Sequence, residues 1–368
     1  MIPWIRMALP LEPYLHDFKT AFDAWESGGV RGLMIGRMFF SGENRREISA
    51  YPLDPEIYAA FGLDRPAALP RDPEKEKLLH TMLDDAAGRG WKIMIFDTFA
   101  APRDLWDYST ADDPYGAAGV TACIQDIMAA FPQVHGFVCD GPGEHQHELS
   151  LPGRSELFAV KPHWQKRFAN LGIDANRIER GMDRLRHRLH NLTPDLVRYH
   201  ATGGLLASLL LFDIDEDTLY WLRKRQEISH GWMAALRSQV DQLDRKVELG
   251  GIPRTATFSS ITGQNYQQMG NFFDYIFPKH YFWHRGFDGL YGTIRRWLLT
   301  LLKWNPALRE EDAFAVVKSL LGIELPKVHS IEDMEMGFPE EFFAEAILCF
   351  FSESFGFSTT TPIFPSRK

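Results

Sequence analysis

Three apolar runs in this chain each stop abruptly in residues that carry chemistry, and this pattern narrows its fold more than any other. Val134 to Glu148 reads Val-His-Gly-Phe-Val-Cys-Asp-Gly-Pro-Gly-Glu-His-Gln-His-Glu. Trp91 to Phe96 runs straight into Asp97, and Phe273 to Phe277 leads through Pro278 into Lys279, His280 and Tyr281. A short apolar run that gives way at once to glycine, proline and charge is how a buried strand hands over to a loop. Strands that all carry polar residues at their C-terminal ends belong in a parallel sheet whose functional loops leave from one rim.

The rest of the chain alternates in the same way. Ile2 to Leu9 reads as a first strand, followed by a helix from Tyr14 to Trp25 with Tyr14, Phe18, Ala21, Phe22 and Trp25 on one face. Gly28 and Gly29 end that helix, and Val30 to Phe40 reads as the second strand. A proline-rich loop leads to a helix that Asp72 caps and Pro73 opens, closed by Gly88 and Gly90. Trp91 to Phe99 is the third strand, Gly116 to Phe131 its helix, and His135 to Asp140 the fourth strand. Arg254 to Ser260 and Phe273 to Tyr281 supply the fifth and sixth. Strand and helix in this alternation predict a TIM-type α/β barrel, (β/α)8-like, over 1–368, with a mostly helical insertion over 149–251 and a helical C-terminal extension over 305–368. Only Glu324 to Val328 and Ser358 to Phe364 have the composition to complete the barrel, and both are weak, so its last strands are unclear or incomplete.

With 368 residues, 45% hydrophobic and 24% charged, the chain can bury a large core. Its net charge of -9 argues against a nucleic-acid or anionic-membrane partner, which needs a concentrated basic face. Arg177 to Arg188 concentrates basic residues only locally, at helical spacing, and reads as a solvated face. The three cysteines, Cys123, Cys139 and Cys349, are not spaced as a metal or redox pair, which fits a reducing compartment. No secretory signal and no run of 18 apolar residues is visible, so the expectation is a cytoplasmic protein without a membrane span. Nothing in the sequence sets an oligomeric state. A dinucleotide fold would need G-x-G-x-x-G opening a helix after the first strand, but Gly28-Gly29 precedes a strand instead.

The motifs at the strand ends are similar to those of a known group. Asp140-Gly-Pro-Gly-Glu144, Arg254-Thr-Ala-Thr-Phe-Ser and Asp274-Tyr-Ile-Phe-Pro-Lys279-His-Tyr-Phe-Trp283, in this order, resemble the glycoside-hydrolase-like (β/α)8 barrel proteins, over roughly Met1 to Ile294. The resemblance implies a carbohydrate substrate and an acid at the end of the fourth strand, Glu144, or Asp140 in a shifted register. It also has departures. The commonest clan of barrel glycosidases carries Asn-Glu at the fourth strand and a nucleophilic Glu at the seventh, where this chain has Gly143-Glu144 and no clear seventh strand. Chitinase-like barrels close a run of alternating aspartates with a glutamate, which Asp140 and Glu144 match in part.

Glycoside hydrolysis needs two carboxyl groups about a scissile bond, one of them kept protonated by burial or by a like-charged neighbour. On that chemistry Glu144 is the expected general acid, with Asp140 or Asp97 raising its pKa; the plainer reading makes Asp140 a turn cap and Glu144 solvated. Arg37, an isolated charge in an apolar run, either contacts substrate or pairs with Asp97. Lys279 and Tyr281 alternate with His280 along the sixth strand end, so one of the two sets faces the substrate. Trp283 offers a ring for the C–H face of a sugar, whereas Trp25, Trp221 and Trp297 sit in helical patterns and read as packing. No cofactor is expected for the acid/base chemistry. The alternative is a metal-dependent hydrolase in which His145 and His147, with Asp97 or Asp140, hold a divalent ion such as zinc. Against it, a Pro-Gly loop lets both histidines drift into solvent. A third reading is a barrel that binds carbohydrate without turning it over.

Overall fold

The computed structural model describes residues 3–7, 11–36, 38–41, 47–64, 68–96, 114–150, 157–159, 168, 171–279, 289–323 and 328–336. The chain divides into two compact units. The first consists of Met1–Gly143, His230–Ile252 and Met269–Phe277, and the second of Glu144–Ser229, Pro253–Gln268 and Pro278–Lys368.

The first unit is built on a parallel sheet of six strands: β1 (Trp4–Met7), β2 (Gly32–Ile35), β5 (Lys92–Phe96), β6 (Gly136–Asp140), β7 (Glu248–Ile252) and β8 (Tyr275–Ile276). Two short strands, β3 (Phe39–Ser41) and β4 (Glu47–Ser49), form a separate antiparallel pair. In the main sheet the order is β1-β2-β5-β6-β7-β8, every pairing is parallel, and the order never reverses. A doubly wound sheet reverses its order part-way, at the point where it binds its ligand. This sheet is wound in one direction only, as a six-stranded half-barrel. The segments that would complete it, 324–327 and 358–364, lie outside the described residues.

The two faces of the sheet are both apolar, but they are covered differently. Leu33, Ile35, Ile93, Ile95, Phe137 and Leu249 point to the helices and share the main core with Phe22, Leu79, Leu83, Ile124 and Met233. Met34, Met94, Phe96, Val138 and Ile252 alternate with them and form a smaller cluster on the other face, against Trp4, Tyr275 and Phe277. Glycines make room there. A Cβ at Gly32 would lie 2.2 Å from the Trp4 ring, and one at Gly250 would lie 2.9 Å from Phe277. Pairing a bare position with a large neighbour is how the narrow inside of a barrel is filled. Below this layer Lys92 Nζ reaches Glu248 at 2.6 Å and the Tyr275 hydroxyl at 2.7 Å.

Local signals place the helices of the first unit. Phe18–Ser27 buries Phe18 and Phe22, and Pro73–Gly88 starts at Asp72, whose carboxylate accepts from the Lys75 N–H at 3.2 Å. Three strand boundaries differ from expectation. The second strand stops at Ile35, after a last parallel rung from the Gly36 N–H to Met7 O, and Phe39–Ser41 goes to the antiparallel pair. The fifth strand is Glu248–Ile252, not Arg254 to Ser260, because Pro253 has no N–H to continue the ladder. Residues Ala256–Phe258 and Ser259–Thr262 are instead a 3-10 turn and a short helix. The sixth strand is only Tyr275–Ile276.

The second unit is helical. It contains Ala175–His190, Pro194–His200, Gly204–Leu211, Leu290–Trp304, Glu310–Leu321 and Ile331–Met336, and the first half of Glu216–Val240. Asp174 and Thr193 cap two of these helices. Asn305 ties another pair, donating to Leu189 O and accepting from the Leu192 N–H. Three of the basic residues of Ala175–His190 have acidic partners: Arg177 and Arg180 share Asp217, and Arg184 takes Asp213 and Asp215. Among the described residues no helix is long and apolar enough to cross a membrane.

Candidate functional site

Three successive strands of the sheet are followed, within a few residues of their C-terminal ends, by side chains that meet. Glu144 comes four residues after Asp140 of β6, Arg254 two after Ile252 of β7, and Lys279 three after Ile276 of β8. All three belong to the second unit. Arg254 donates to Glu144 Oε1 through Nε at 2.9 Å and Nη2 at 2.5 Å, and Lys279 Nζ lies 3.8 Å from Oε2. The cluster is almost out of solvent, with side-chain exposures of 12% for Glu144, 2% for Arg254 and 4% for Lys279.

Backbone contacts hold these residues. The Arg254 N–H donates to the Gln264 side chain, its carbonyl accepts from the Tyr266 hydroxyl, and the Thr255 hydroxyl donates to Lys279 O. The loop 144–148 is anchored just as firmly. The His145 N–H donates to Thr262 O, Gln146 O accepts from Arg225, and His147 O accepts from the Trp297 indole.

This anchoring overturns the expectation that His145 and His147 are solvated. Both are buried, because their loop satisfies its backbone polar groups internally and has no need of water. The His145 ring nitrogen lies 3.0 Å from the Arg225 carbonyl. Burial, and then the Arg225 charge, push its pKa down to about 3, so it is neutral. His147 stands between two carboxylates, with Nδ1 3.5 Å from Glu144 and Nε2 3.9 Å from Glu148. Burial lowers its pKa, and Glu144 opposes that in part. Glu148 is held in turn by Arg296, at 2.5 Å, and by the Thr293 hydroxyl, at 3.1 Å. The two imidazoles thus serve different partners, and among the described residues no group of three His, Cys, Asp or Glu is placed to hold a metal ion.

Glu144 requires a second correction. Burial pushes its carboxyl up, but Arg254, Lys279 and His147 outweigh burial and hold it well below the usual carboxylate range. A general acid needs the opposite environment. This Glu144 is an ionised group, suited to act as a base, a nucleophile or a charge partner.

Asp140 closes β6, paired in register with Ile252 and half-buried, on the same face as Val138. Asp97, Arg37, His280, Tyr281 and Trp283 lie outside the described residues. Arg254, Glu148, Thr293 and Arg296 also belong to the site, beyond the residues expected from the sequence. A charge just beyond an apolar run was the available signal for Arg254, but the two glycines before it disguised the strand. Trp297 is fully buried, as its helical pattern suggested, and its N–H also fixes the site loop.

No known protein family matches the sequence, and no curated protein is similar to it. Among solved structures, a mutant of the trehalulose synthase MutB matches over 79% of this chain and 50% of its own, at 9% identity and a TM-score of 0.32. Fpglu1 from Fervidobacterium pennivoraus matches over 72% of this chain and 50% of its own, at 14% identity and a TM-score of 0.29. The chain spans about half the length of each, and likenesses this distant fix neither fold nor chemistry.

Proposed function

We propose that this protein is a carbohydrate-active hydrolase of the glycosidase type, with Glu144 as its ionised carboxylate. One observation carries the reading: residues following three neighbouring strand ends, Glu144, Arg254 and Lys279, converge on one buried cluster. A rim where successive parallel strands end is where β/α sheets place their chemistry. Of the two carboxyl groups that glycoside hydrolysis uses, Glu144 takes the role of nucleophile or base, since Arg254 keeps it charged. The proton donor is then a different acid, Asp140 or Asp97. The acid gives its proton to the leaving oxygen as the glycosidic C–O bond breaks, and the carboxylate either attacks the anomeric carbon or activates the water that does. Lys279 is a substrate contact, with Arg37, His280, Tyr281 and Trp283 as further candidates.

Hydrolysis of a panel of aryl glycosides tests this. Glu144→Gln should lower kcat by about 10²–10⁴-fold, the usual weight of such a group. If Glu144 is the nucleophile, azide should restore turnover in Glu144→Ala. Full turnover in Glu144→Gln sinks the assignment, and activity abolished by a chelator turns the reading to the metal-dependent hydrolase. The close Arg254–Glu144 pair also favours a second reading, a carbohydrate-binding protein without turnover, in which the pair is purely structural. Sugar binding with no hydrolysis of any substrate in the panel would identify it.

A further inference from the structure

Arg225, in the helix Glu216–Val240, is a buried cation whose partners are all neutral. Its Nη1 donates to the carbonyls of Gln146, at 3.1 Å, and Ile261, at 2.6 Å, and its Nη2 donates to Leu157 O at 2.8 Å. The guanidinium carbon lies 4.6 Å from the centre of the Trp221 ring. A guanidinium has five N–H donors, so these three contacts leave two. Among the described residues no carboxylate pairs with Arg225, and burial alone lowers its pKa, to about 9, which leaves it charged at neutral pH. A charge removed from water without a counter-charge is a costly group to fold around, and carbonyl dipoles offset only part of that cost.

Beside Arg225 is a cavity of about 40 Å³ within the second unit. Phe168, Met182, Trp221 and Ile228 form its apolar wall, and Lys224, Arg225 and His145 its polar side. Among the described residues no carboxylate lines it. Lys224 is already paired with Glu227 at 2.5 Å, and His145 is neutral, so Arg225 supplies the uncompensated charge. A space this small admits one or two water-sized particles. A monatomic anion fits both this volume and the sign of charge.

The geometry points to a chloride-sized monovalent anion bound in this cavity by the two remaining N–H donors of Arg225, against Trp221, Met182 and Ile228. The proposal is independent of the hydrolase reading, since the site uses none of Glu144, Arg254 or Lys279. Bound chloride supplies the missing counter-charge and fastens the helix to the segments that Gln146, Leu157 and Ile261 belong to.

The test compares thermal unfolding in chloride and in gluconate at matched ionic strength, with bromide as an anomalous scatterer in crystals of the wild-type chain. Chloride should raise the midpoint saturably by about 3 °C, the size expected for an ion well above its dissociation constant. Arg225→Met should abolish the difference, and bromide should give an anomalous peak beside Arg225. Should Arg225→Met fail to fold, Ile228→Phe fills the cavity while keeping the guanidinium, and it must also lose the chloride effect. Equal midpoints in the two salts with no bromide peak mean that the cavity holds only water and overturn the proposal. A chloride effect that survives in either variant places the anion elsewhere and overturns it too.

Discussion

Replacing Asp126 by asparagine should make the first unit more stable at neutral pH and leave it unchanged in mild acid. Asp126 lies in the helix Pro114–Ala130, is only 2% exposed, and accepts the Asp54 N–H on Oδ1 at 3.1 Å. Burial pushes its pKa from 3.8 up to about 6, against the lowering effect of the Asp54 N–H and the Tyr58 hydroxyl. A folded pKa raised above the unfolded one means that folding favours the protonated acid. The stability this group contributes is therefore whole below about pH 4 and is lost as pH rises through about 6. Two pKa units correspond to about 3 kcal/mol, an upper figure because local relaxation lets water reach a charged carboxylate. Asparagine has the same shape, keeps the Oδ1 acceptor and never ionises, so it should recover most of this at pH 7.5 and nothing at pH 4. Urea unfolding of both proteins at several pH values, at constant ionic strength, gives the difference with all other titrating groups common to both. If the two proteins have equal midpoints at pH 7.5, or if the gap widens toward acid, then Asp126 is not a buried acid and the reasoning fails.

Three further outcomes are expected. Arg254→Met leaves the Glu144 charge buried without its main partner and should cost about 3–5 kcal/mol, part of which Glu144→Gln restores in the double variant; additive costs would mean that the two groups do not interact. Gly181→Ala places a Cβ 2.3 Å from the Asp217 carbonyl, so the helix Ala175–His190 must shift, at about 1–3 kcal/mol; a wild-type melting temperature counts against this close approach. His145 has its pKa lowered from 6.5 to about 3 by burial and the Arg225 charge, so the stability it contributes is complete above pH 6.5 and falls away toward pH 3. His145→Gln should flatten the acid limb of the stability profile over that window, and an acid limb of unchanged slope would show that His145 titrates normally.

What the sequence revealed about this fold depended on how local the signal was. Asp72 and Pro73 act within one helical turn, so the start of the helix Pro73–Gly88 could be read directly. The β6 run and the loop after it were equally plain, because an apolar stretch and its break are adjacent in the chain. The strand Glu248–Ile252 was missed because Gly250 and Gly251 look like a turn until Phe277 and Phe273 are seen filling the space beside them. The site shows the same limit. Glu144 and Lys279 stand out as charges after apolar runs, but the state of Glu144 is decided by Arg254, 110 residues away. The burial of His145 and His147 likewise depends on Arg225, Thr262 and Trp297, and no pattern within the loop announces these partners.

The bare positions on the inner face of the sheet bear on how this sequence can change over time. Trp4 occupies the volume that a side chain at Gly32 would need, and Phe277 does the same for Gly250. Neither member of such a couple can drift alone: a smaller ring leaves a hole and a larger glycine replacement has nowhere to go. Diverged relatives should therefore exchange bulk between the two members of each couple, and residues 4 and 32, like residues 250 and 277, should covary in an alignment deep enough to resolve it.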